Sequence, residues 1–263
     1  MSTSVVALED RSYAVQLFAL VRLSVVQLVR APSHARRAIA ARRLRRDALL
    51  LVGVGGVLVV ALMFGFDATE IALMPARGSP DVWWARVLTD FGKDTYVSWA
   101  LLAAPVLTVL VVPLLHGVSR ARLLRFGTHL EYIFVSVLCA NFVTEVLKYA
   151  IGRGRPFVGG KANPFNFMPF AGTEAYFSMP SAHAVTAFAL AFAVGAIWPR
   201  TRLVMFAYAL GIVVTRLVLL AHHPSDVVVG AVVGILASIA VRYWFAVRRL
   251  GFAIGNDGQI VPI

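Results

Sequence analysis

Residues 48–66 read ALLLVGVGGVLVVALMFGF, an apolar stretch that directly follows the basic run RRLRRD at 42–47. A helix needs about 20 apolar residues to cross the hydrocarbon core of a bilayer, and this stretch approaches that length without a single charge. Arginines clustered at one end of such a stretch are typical of a membrane-spanning helix with its flanking charges on one side. The sequence therefore predicts an integral membrane protein.

The composition of the whole chain supports this prediction. Of its 263 residues, 59% are hydrophobic and 14% are charged, and the mean hydropathy is +0.78. Soluble domains carry about 25% charged residues, so this composition excludes an ordinary soluble fold. The net charge of +12 comes from arginines in short runs beside apolar stretches. Such runs indicate charges that fix topology and contact anionic headgroups, and nucleic-acid binding is not predicted.

The single cysteine and the N-terminal residues exclude further classes of protein and segment. Cys139 is the single cysteine and lies in an apolar stretch, which excludes a disulfide framework and a cysteine metal site. Glu9 and Asp10 occur early and no basic segment precedes them. This pattern argues against a cleaved signal peptide.

Five further apolar stretches follow the first, so the predicted fold is an all-α six-transmembrane-helix bundle. The six predicted spans are residues 48–66, 96–115, 129–151, 183–198, 203–221 and 227–245. Residues 13–30 are also apolar, but polar side chains interrupt them, which predicts an interfacial helix in an amphipathic N-terminal arm. The predicted division is a basic cytoplasmic or interfacial arm (1–47), a six-helix domain (48–247) and a cytoplasmic tail (248–263).

The placement of arginine orients the predicted spans. Arginine runs occur in the arm, in the loop after the second span, in the loop after the fourth span and in the tail. With six spans, all four segments lie on one side, which the positive-inside rule makes cytoplasmic. The connections at 67–95, 152–181 and 222–226 are then extracytoplasmic. The sequence thus predicts a multi-pass protein of the cell (inner) membrane with both termini in the cytoplasm.

Three polar clusters near the extracytoplasmic ends of the spans predict the chemistry. They are Lys148 with Arg155-Pro156, then Pro180-Ser181-Ala182-His183, then Arg216 with His222 and Asp226. Fixed cations neutralise the oxygens of a phosphoryl group, and a histidine attacks phosphorus or protonates the leaving oxygen. A carboxylate orients the attacking imidazole. The clusters together predict phosphoryl chemistry on this face of the membrane.

Individual positions support this interpretation. Lys148 is one of only three lysines in a chain with 22 arginines, and Glu145 lies three residues before it, close enough on a helix to pair with it. Ser181 stands at a predicted helix start, where a hydroxyl and free backbone N–H groups can hold a phosphate oxygen. Asp226 is predicted to accept a hydrogen bond from one ring nitrogen of His222. His223 is predicted to be a helix cap or a rim residue.

The order and spacing of the clusters resemble the three-part signature of the type-2 phosphatidic acid phosphatase superfamily, in its membrane lipid phosphatase branch. The resemblance implies a nucleophile that forms a phosphohistidine (His222), a general acid (His183) and an orienting carboxylate (Asp226). It implies that phosphate is held by Lys148, Arg155, Ser181, Ala182 and Arg216. The chain departs from the family in having Ala182 for the usual glycine and Thr215 for the usual serine. Arg153 matches no position of the signature.

The resemblance further implies a phosphatase that removes phosphate from a lipid headgroup, with neither a metal nor another cofactor. Implied substrates are undecaprenyl diphosphate, phosphatidylglycerol phosphate, phosphatidic acid and the lipid A phosphates. A lipid phosphotransferase with the same intermediate remains an alternative, because the choice between water and an acceptor alcohol depends on the pocket. A transporter or inactive scaffold is the least favoured alternative, because neither function requires all of the implied catalytic residues. The partners predicted are the substrate and membrane lipids, and the oligomeric state stays open.

Overall fold

The structure, a computed structural model, describes residues 11–159, 162–255 and 258–263. Glu9 and Asp10, which argue against a signal peptide, lie outside these ranges. The α-helices are α1 (Tyr13–Val29), α2 (His34–Gly65), α3 (Asp67–Leu73), α4 (Trp83–Thr89), α5 (Asp94–Val111), α6 (Gly117–Ile151), α7 (Ala182–Ile197), α8 (Arg202–Val218) and α9 (Pro224–Arg248). An antiparallel hairpin of β1 (Phe252–Ile254) and β2 (Ile260–Pro262) follows α9. Short 3-10 turns flank several of the helices.

Within the described residues, five segments are long and apolar enough to cross a membrane. They are His34–Gly65, Pro80–Leu114, Gly117–Ile151, Pro199–Val218 and Pro224–Arg248. The remaining predicted span corresponds to α7, whose 16 residues extend about 24 Å, less than the ~30 Å hydrocarbon core. This helix is largely buried and contacts α5, α6, α8 and α9. The mostly helical structure with these five segments agrees with the predicted all-α membrane protein, although a short β-hairpin follows α9, and the count of six spans stays a prediction.

The N-terminal part of the chain is helical on both sides of the predicted domain boundary. α2 is continuous from His34 to Gly65, so the basic run and the first apolar stretch share one helix, and residue 47 lies inside it. The predicted interfacial segment forms α1, which contacts α5 and α9. The position of α1 relative to a membrane surface stays a prediction.

Helices α7 and α9 pack closely because α9 presents two glycines, four residues apart, to its neighbour. A Cβ on Gly234 would lie 2.4 Å from the carbonyl oxygen of Val185, and one on Gly230 would lie 2.8 Å from that of Ser181. Small residues at this spacing let helices approach in a membrane, where apolar lipid supplies no hydrophobic force between them. The backbone N–H of Ser181 consequently donates to the carbonyl oxygen of Asp226 at 3.1 Å. The second and third sequence clusters therefore meet where α7 and α9 begin.

The connection between α6 and α7 is folded back on itself. α6 ends at Ile151, and the next residue, Gly152, is in the left-handed conformation (φ 57°), where a Cβ would lie 1.9 Å from the carbonyl oxygen of Met168. Only glycine fits a turn of this kind. Beyond it, Arg153 forms a β-bridge with Phe167, and the N–H of Ser178 donates to the carbonyl oxygen of Arg153 at 3.0 Å. These bonds place Ser178 beside the first residue of the connection.

The predicted tail contains the hairpin, which packs against the other end of the bundle. Phe252 is fully buried, and its ring lies 4.8 Å from that of Tyr132 in α6. Phe245 of α9 completes this aromatic group, with its ring 5.5 Å from Tyr132. The end of the bundle opposite the sequence clusters is therefore held by a distinct apolar cluster.

Candidate active site

The three predicted clusters converge at one end of the helical bundle. Arg216, Lys148 and Arg155 lie close enough to His183 for their charges to act on its ring, and Lys93 does as well. Lys93 stands in the segment before α5 and also lies over the ring of Tyr96, 4.7 Å from its centroid. The structure thus adds a fourth cation, which the sequence analysis did not include.

His222 lies in the turn between α8 and α9 and is 3% exposed. Its Nδ1 is 2.8 Å from the carbonyl oxygen of Ser178. Because a carbonyl oxygen only accepts, Nδ1 carries the hydrogen and Nε2 keeps its lone pair. Burial, and next the charge of Arg216, hold the pKa of His222 well below its usual value. The ring is therefore neutral near pH 7 and oriented, as an attacking imidazole must be.

The predicted hydrogen bond from His222 to Asp226 is wrong. Oδ2 of Asp226 lies 3.9 Å from Nδ1 of His222, beyond hydrogen-bond distance, because the Ser178 carbonyl takes that hydrogen. Oδ2 instead accepts from the hydroxyl of Ser178 at 2.6 Å and from the backbone N–H of His223 at 2.8 Å. Asp226 therefore acts on His222 through its charge and through Ser178, which bonds to both residues.

Arg153 is fully buried and binds two acids, although it matches no position of the family signature. Its Nη1 lies 2.7 Å from Oδ1 of Asp226, and its Nη2 lies 2.7 Å from Oδ2 of Asp67. The guanidinium also donates to the carbonyl oxygen of Pro164, and the hydroxyl of Ser225 bonds to both Arg153 and Asp67. A guanidinium has enough donors in a fixed plane to satisfy all of these acceptors. We call this group the Arg153 network: Arg153, Asp67, Ser225 and Asp226.

Two of the predicted phosphate-binding residues have buried polar atoms without a protein partner. In the described ranges, Oγ of Ser181 and Nε of Arg216 are buried and form no hydrogen bond. Nη1 of Arg216 donates to the hydroxyl of Thr89 at 2.8 Å, which fixes the side chain. Because unsatisfied buried polar atoms are rare, two of them at one site fit a polar ligand.

Lys148 and Arg155 lie at the more exposed side of the site. Lys148 is 2.7 Å from Glu145, which confirms the predicted ion pair, and Arg155 is 3.2 Å from Glu174. The two glutamate side chains are 58% and 87% exposed. Exposed ion pairs contribute about 0–1 kcal/mol, so an incoming phosphate can displace either carboxylate at little cost.

The first turn of α7 brings together the other predicted residues. Ser181 is the N-cap, followed by Ala182 and His183, and the side chain of Ser181 forms no cap hydrogen bond. The free N–H groups of this turn are donors for an anion. His223, which follows His222 in the chain, is predicted from the sequence to be either a helix cap or a rim residue. It is the N-cap of α9 and is buried, which confirms the cap and excludes the rim position.

Glu70 of α3 is a buried acid beside the Arg153 network. Neither of its carboxyl oxygens has a hydrogen-bond partner in the described structure. Burial, and next the charges of Asp67 and Asp226, raise the pKa of Glu70 to about 7. The folded protein therefore binds more protons than the unfolded chain between about pH 4.5 and pH 7, so its unfolding free energy falls as pH rises through this window.

We expect Glu70→Gln to stabilise the protein at pH 8, where Glu70 is charged, and to change little at pH 5. A gain of about 1–3 kcal/mol at pH 8 follows from removing a buried charge of this kind. Thermal unfolding of both proteins in detergent at the two pH values measures it, with the exposed Glu174→Gln as control. A gain that is equal at both pH values would contradict the assignment.

Comparison with known proteins finds a family and three relatives that resemble the part of the chain with the three clusters. A protein-family model described as PAP2 superfamily matches residues 130–250, which contain all three clusters. A lipid A 1-phosphatase of Rhizobium johnstonii is 35% identical over 140 residues, covering 53% of this chain and 57% of the relative. That of Rhizobium etli is 34% identical over 140 residues, covering 53% of this chain and 60% of the relative.

A third relative, phosphatidylglycerophosphatase B of Escherichia coli, is 37% identical over 83 residues, covering 30% of this chain and 32% of the relative. In each comparison the chain spans less than two thirds of the length of the relative. No solved structure matches the chain. Over residues 130–250, the chain is similar to the PAP2 superfamily, the family that its three clusters resemble.

Proposed function

We propose that the protein is a membrane lipid phosphatase that hydrolyses a phosphomonoester or diphosphate of a lipid headgroup. The observation that carries this proposal is the geometry of His222, whose neutral ring is fixed by Ser178 where the charges of Arg216 and Arg155 converge. A neutral, oriented imidazole among fixed cations suits attack on a phosphoryl group. The names of the relatives, lipid A 1-phosphatase and phosphatidylglycerophosphatase B, support a lipid phosphate as substrate.

In the proposed first step, Nε2 of His222 attacks phosphorus while the bond from phosphorus to the lipid oxygen breaks. His183, which takes up a proton when the negatively charged phosphate lies among the cations, gives that proton to the leaving oxygen. Lys148, Arg155 and Arg216, with the donors at Ser181 and Ala182, stabilise the charge on the equatorial oxygens. The products of this step are the free lipid alcohol and a phosphohistidine.

In the second step, water attacks the phosphohistidine and gives up a proton to His183. The nitrogen–phosphorus bond breaks, inorganic phosphate leaves, and Nε2 of His222 recovers its lone pair. Asp226 balances the positive charge that His222 carries while it is phosphorylated. We propose that this cycle needs no metal, since the cations of the site already supply positive charge.

The test is a panel of lipid phosphates presented to the purified protein in detergent. Phosphatidylglycerol phosphate, phosphatidic acid, undecaprenyl diphosphate and lipid A with its 1-phosphate are each assayed for free phosphate. We expect turnover of at least one lipid in excess EDTA and its inhibition by vanadate, which adopts the geometry of the transferred phosphoryl group. Phosphate recovered on a second lipid would indicate a phosphotransferase. Loss of activity in EDTA with recovery on adding magnesium would contradict the mechanism.

The site is proposed to face away from the cytoplasm, which a cysteine at Asn163 tests. Asn163 is exposed in the connection before α7, whereas Lys161, a second position suited to labelling, lies outside the described residues. In a background lacking Cys139, we expect Asn163→Cys to react with an impermeant maleimide in intact cells with a permeabilised outer membrane. Arg122→Cys, in a predicted cytoplasmic loop, should react only after lysis. The reverse pattern would overturn the orientation.

The proposed acid role of His183 predicts a dependence on the leaving group. Protonation matters most when the departing oxygen is a poor leaving group, and general acid catalysis contributes about 10²–10⁴-fold. His183→Ala should therefore lose about that factor on a lipid monoester. It should lose much less on p-nitrophenyl phosphate, if wild-type protein accepts this ester and phosphorylation of His222 limits the rate. Equal losses on both substrates would assign His183 to binding.

A further inference from the structure

A second site lies at the end of the bundle that carries the hairpin. There α1, α5, α6 and the end of α9 line a cleft of about 530 Å³, which we call the basal cleft. Its inner wall is largely apolar and includes Leu20 and Leu23 of α1 and Pro105 and Val109 of α5. The volume is within the range of about 300–1,000 Å³ that is usual for sites of small ligands.

The basal cleft carries positive charge that the described structure does not neutralise. Its lining includes Arg30, Arg125, Arg248 and Arg249. Within residues 11–159, 162–255 and 258–263, none of these four arginines forms an ion pair. The side-chain carboxylate in the lining, that of Glu131, accepts a hydrogen bond from Ser24. An excess of like charge around a cleft of this size indicates an anionic ligand.

Two of the arginines are fixed in place before any ligand binds. The guanidinium of Arg248 lies 3.6 Å from the centroid of the Trp244 ring and donates to the carbonyl oxygen of Trp244 at 3.1 Å. Nη2 of Arg30 donates to the carbonyl oxygen of Arg248 at 2.7 Å. Nε of Arg248 is buried and has no partner in the described structure. Fixed guanidinium groups lose little freedom on binding and match the oxygens of a phosphate.

We propose that the basal cleft binds the phosphodiester headgroup of an anionic phospholipid from the adjacent leaflet. The arginines contact the headgroup, and the apolar wall formed by residues such as Leu20, Leu23 and Val109 contacts the acyl chains. Basic clefts between membrane helices bind anionic lipids in this way. Arg125 and Lys148 lie about 35 Å apart along α6, so this site is separate from the candidate active site and does not depend on its function.

The test compares lipid binding by wild-type protein and by Arg125→Gln/Arg249→Gln. Both side chains are exposed and form no hydrogen bond in the described structure, so the change should leave the fold intact. Phosphatidylglycerol and phosphatidylcholine are titrated separately into protein in detergent, with binding followed by native mass spectrometry. Arg122→Gln/Arg200→Gln removes the same charge from exposed positions outside the cleft.

We expect wild-type protein to prefer phosphatidylglycerol and the cleft variant to bind it roughly 30-fold more weakly, since an arginine near anionic lipid contributes about a five-fold factor. The control variant should keep its affinity, and soluble glycerophosphoglycerol should not compete. Equal binding of the two lipids, equal losses in both variants, or full competition by the soluble headgroup would overturn the proposal.

Discussion

Replacing His222 by asparagine is expected to lower kcat by about 10⁴-fold or more on every lipid phosphate that wild-type protein accepts. Asparagine can still donate to the Ser178 carbonyl, so the turn between α8 and α9 should persist. The variant has no ring nitrogen with a lone pair to attack phosphorus, and loss of a nucleophile removes the covalent route for all substrates. Initial rates on the lipid-phosphate panel measure the effect.

A trapping experiment examines the same residue without relying on rates. Wild-type protein quenched during turnover of a ³²P-labelled substrate should carry label that is lost in acid and kept in alkali, as for phosphohistidine. His222→Asn should carry none. The adjacent His223→Asn is a matched control, because asparagine is a favoured N-cap and the cap of α9 should survive. Label on His222→Asn, or a loss of label in His223→Asn alone, would remove the nucleophile assignment.

Replacing Arg153 by methionine is expected to lower the free energy of unfolding by about 3–5 kcal/mol. The change leaves the carboxylates of Asp67 and Asp226 buried without their cation, and breaking a buried ion pair in this way has a cost of that order. Activity should fall as well, because Asp226 and Ser178 hold the ring of His222 in place. Thermal unfolding in detergent and phosphatase assays on the same samples measure both effects.

Two further variants distinguish the effect of breaking the Arg153 network from the effect of losing any positive charge near the site. Arg155→Met removes an arginine two residues away whose ion pair is exposed, so it should weaken phosphate binding with little change in stability. Arg153→Met combined with Asp67→Asn should recover part of the lost stability, because one of the stranded charges is gone. An Arg153→Met protein as stable as wild type would show that the Arg153 network does not hold the site.

The sequence predicted the site where local spacing carries the information. Lys148, Ser181 and His222 each stand at the end of an apolar stretch, and their convergence follows once the stretches are helices. Asp67 and Arg153 are 86 positions apart, and no local pattern pairs them. The group that orients His222 is a backbone carbonyl, that of Ser178, which every residue type supplies. A sequence pattern therefore could not identify it.

The number of membrane spans could not be predicted from the sequence for a different reason. Hydropathy measures how apolar a segment is, and α7 is apolar except for His183 and Thr186. α7 is surrounded by other helices, and a helix buried in a bundle is as apolar as one that faces lipid. Hydropathy therefore cannot distinguish the two. The close approach through Gly230 and Gly234 lets a helix of 16 residues occupy the centre of the bundle.

The pairing of Arg153 with Asp67 also determines which fragments and chimeras of this protein can keep the site intact. The family match covers residues 130–250, yet Asp67 lies well before residue 130. Helix α2, which leads into Asp67, packs against α9 so closely that a Cβ on Gly55 would lie 2.5 Å from the side chain of Val232. A fragment cut at the family boundary would keep a buried guanidinium and lose one of its two carboxylates. Chimeras between relatives should therefore exchange the segment that contains position 67 together with the catalytic region.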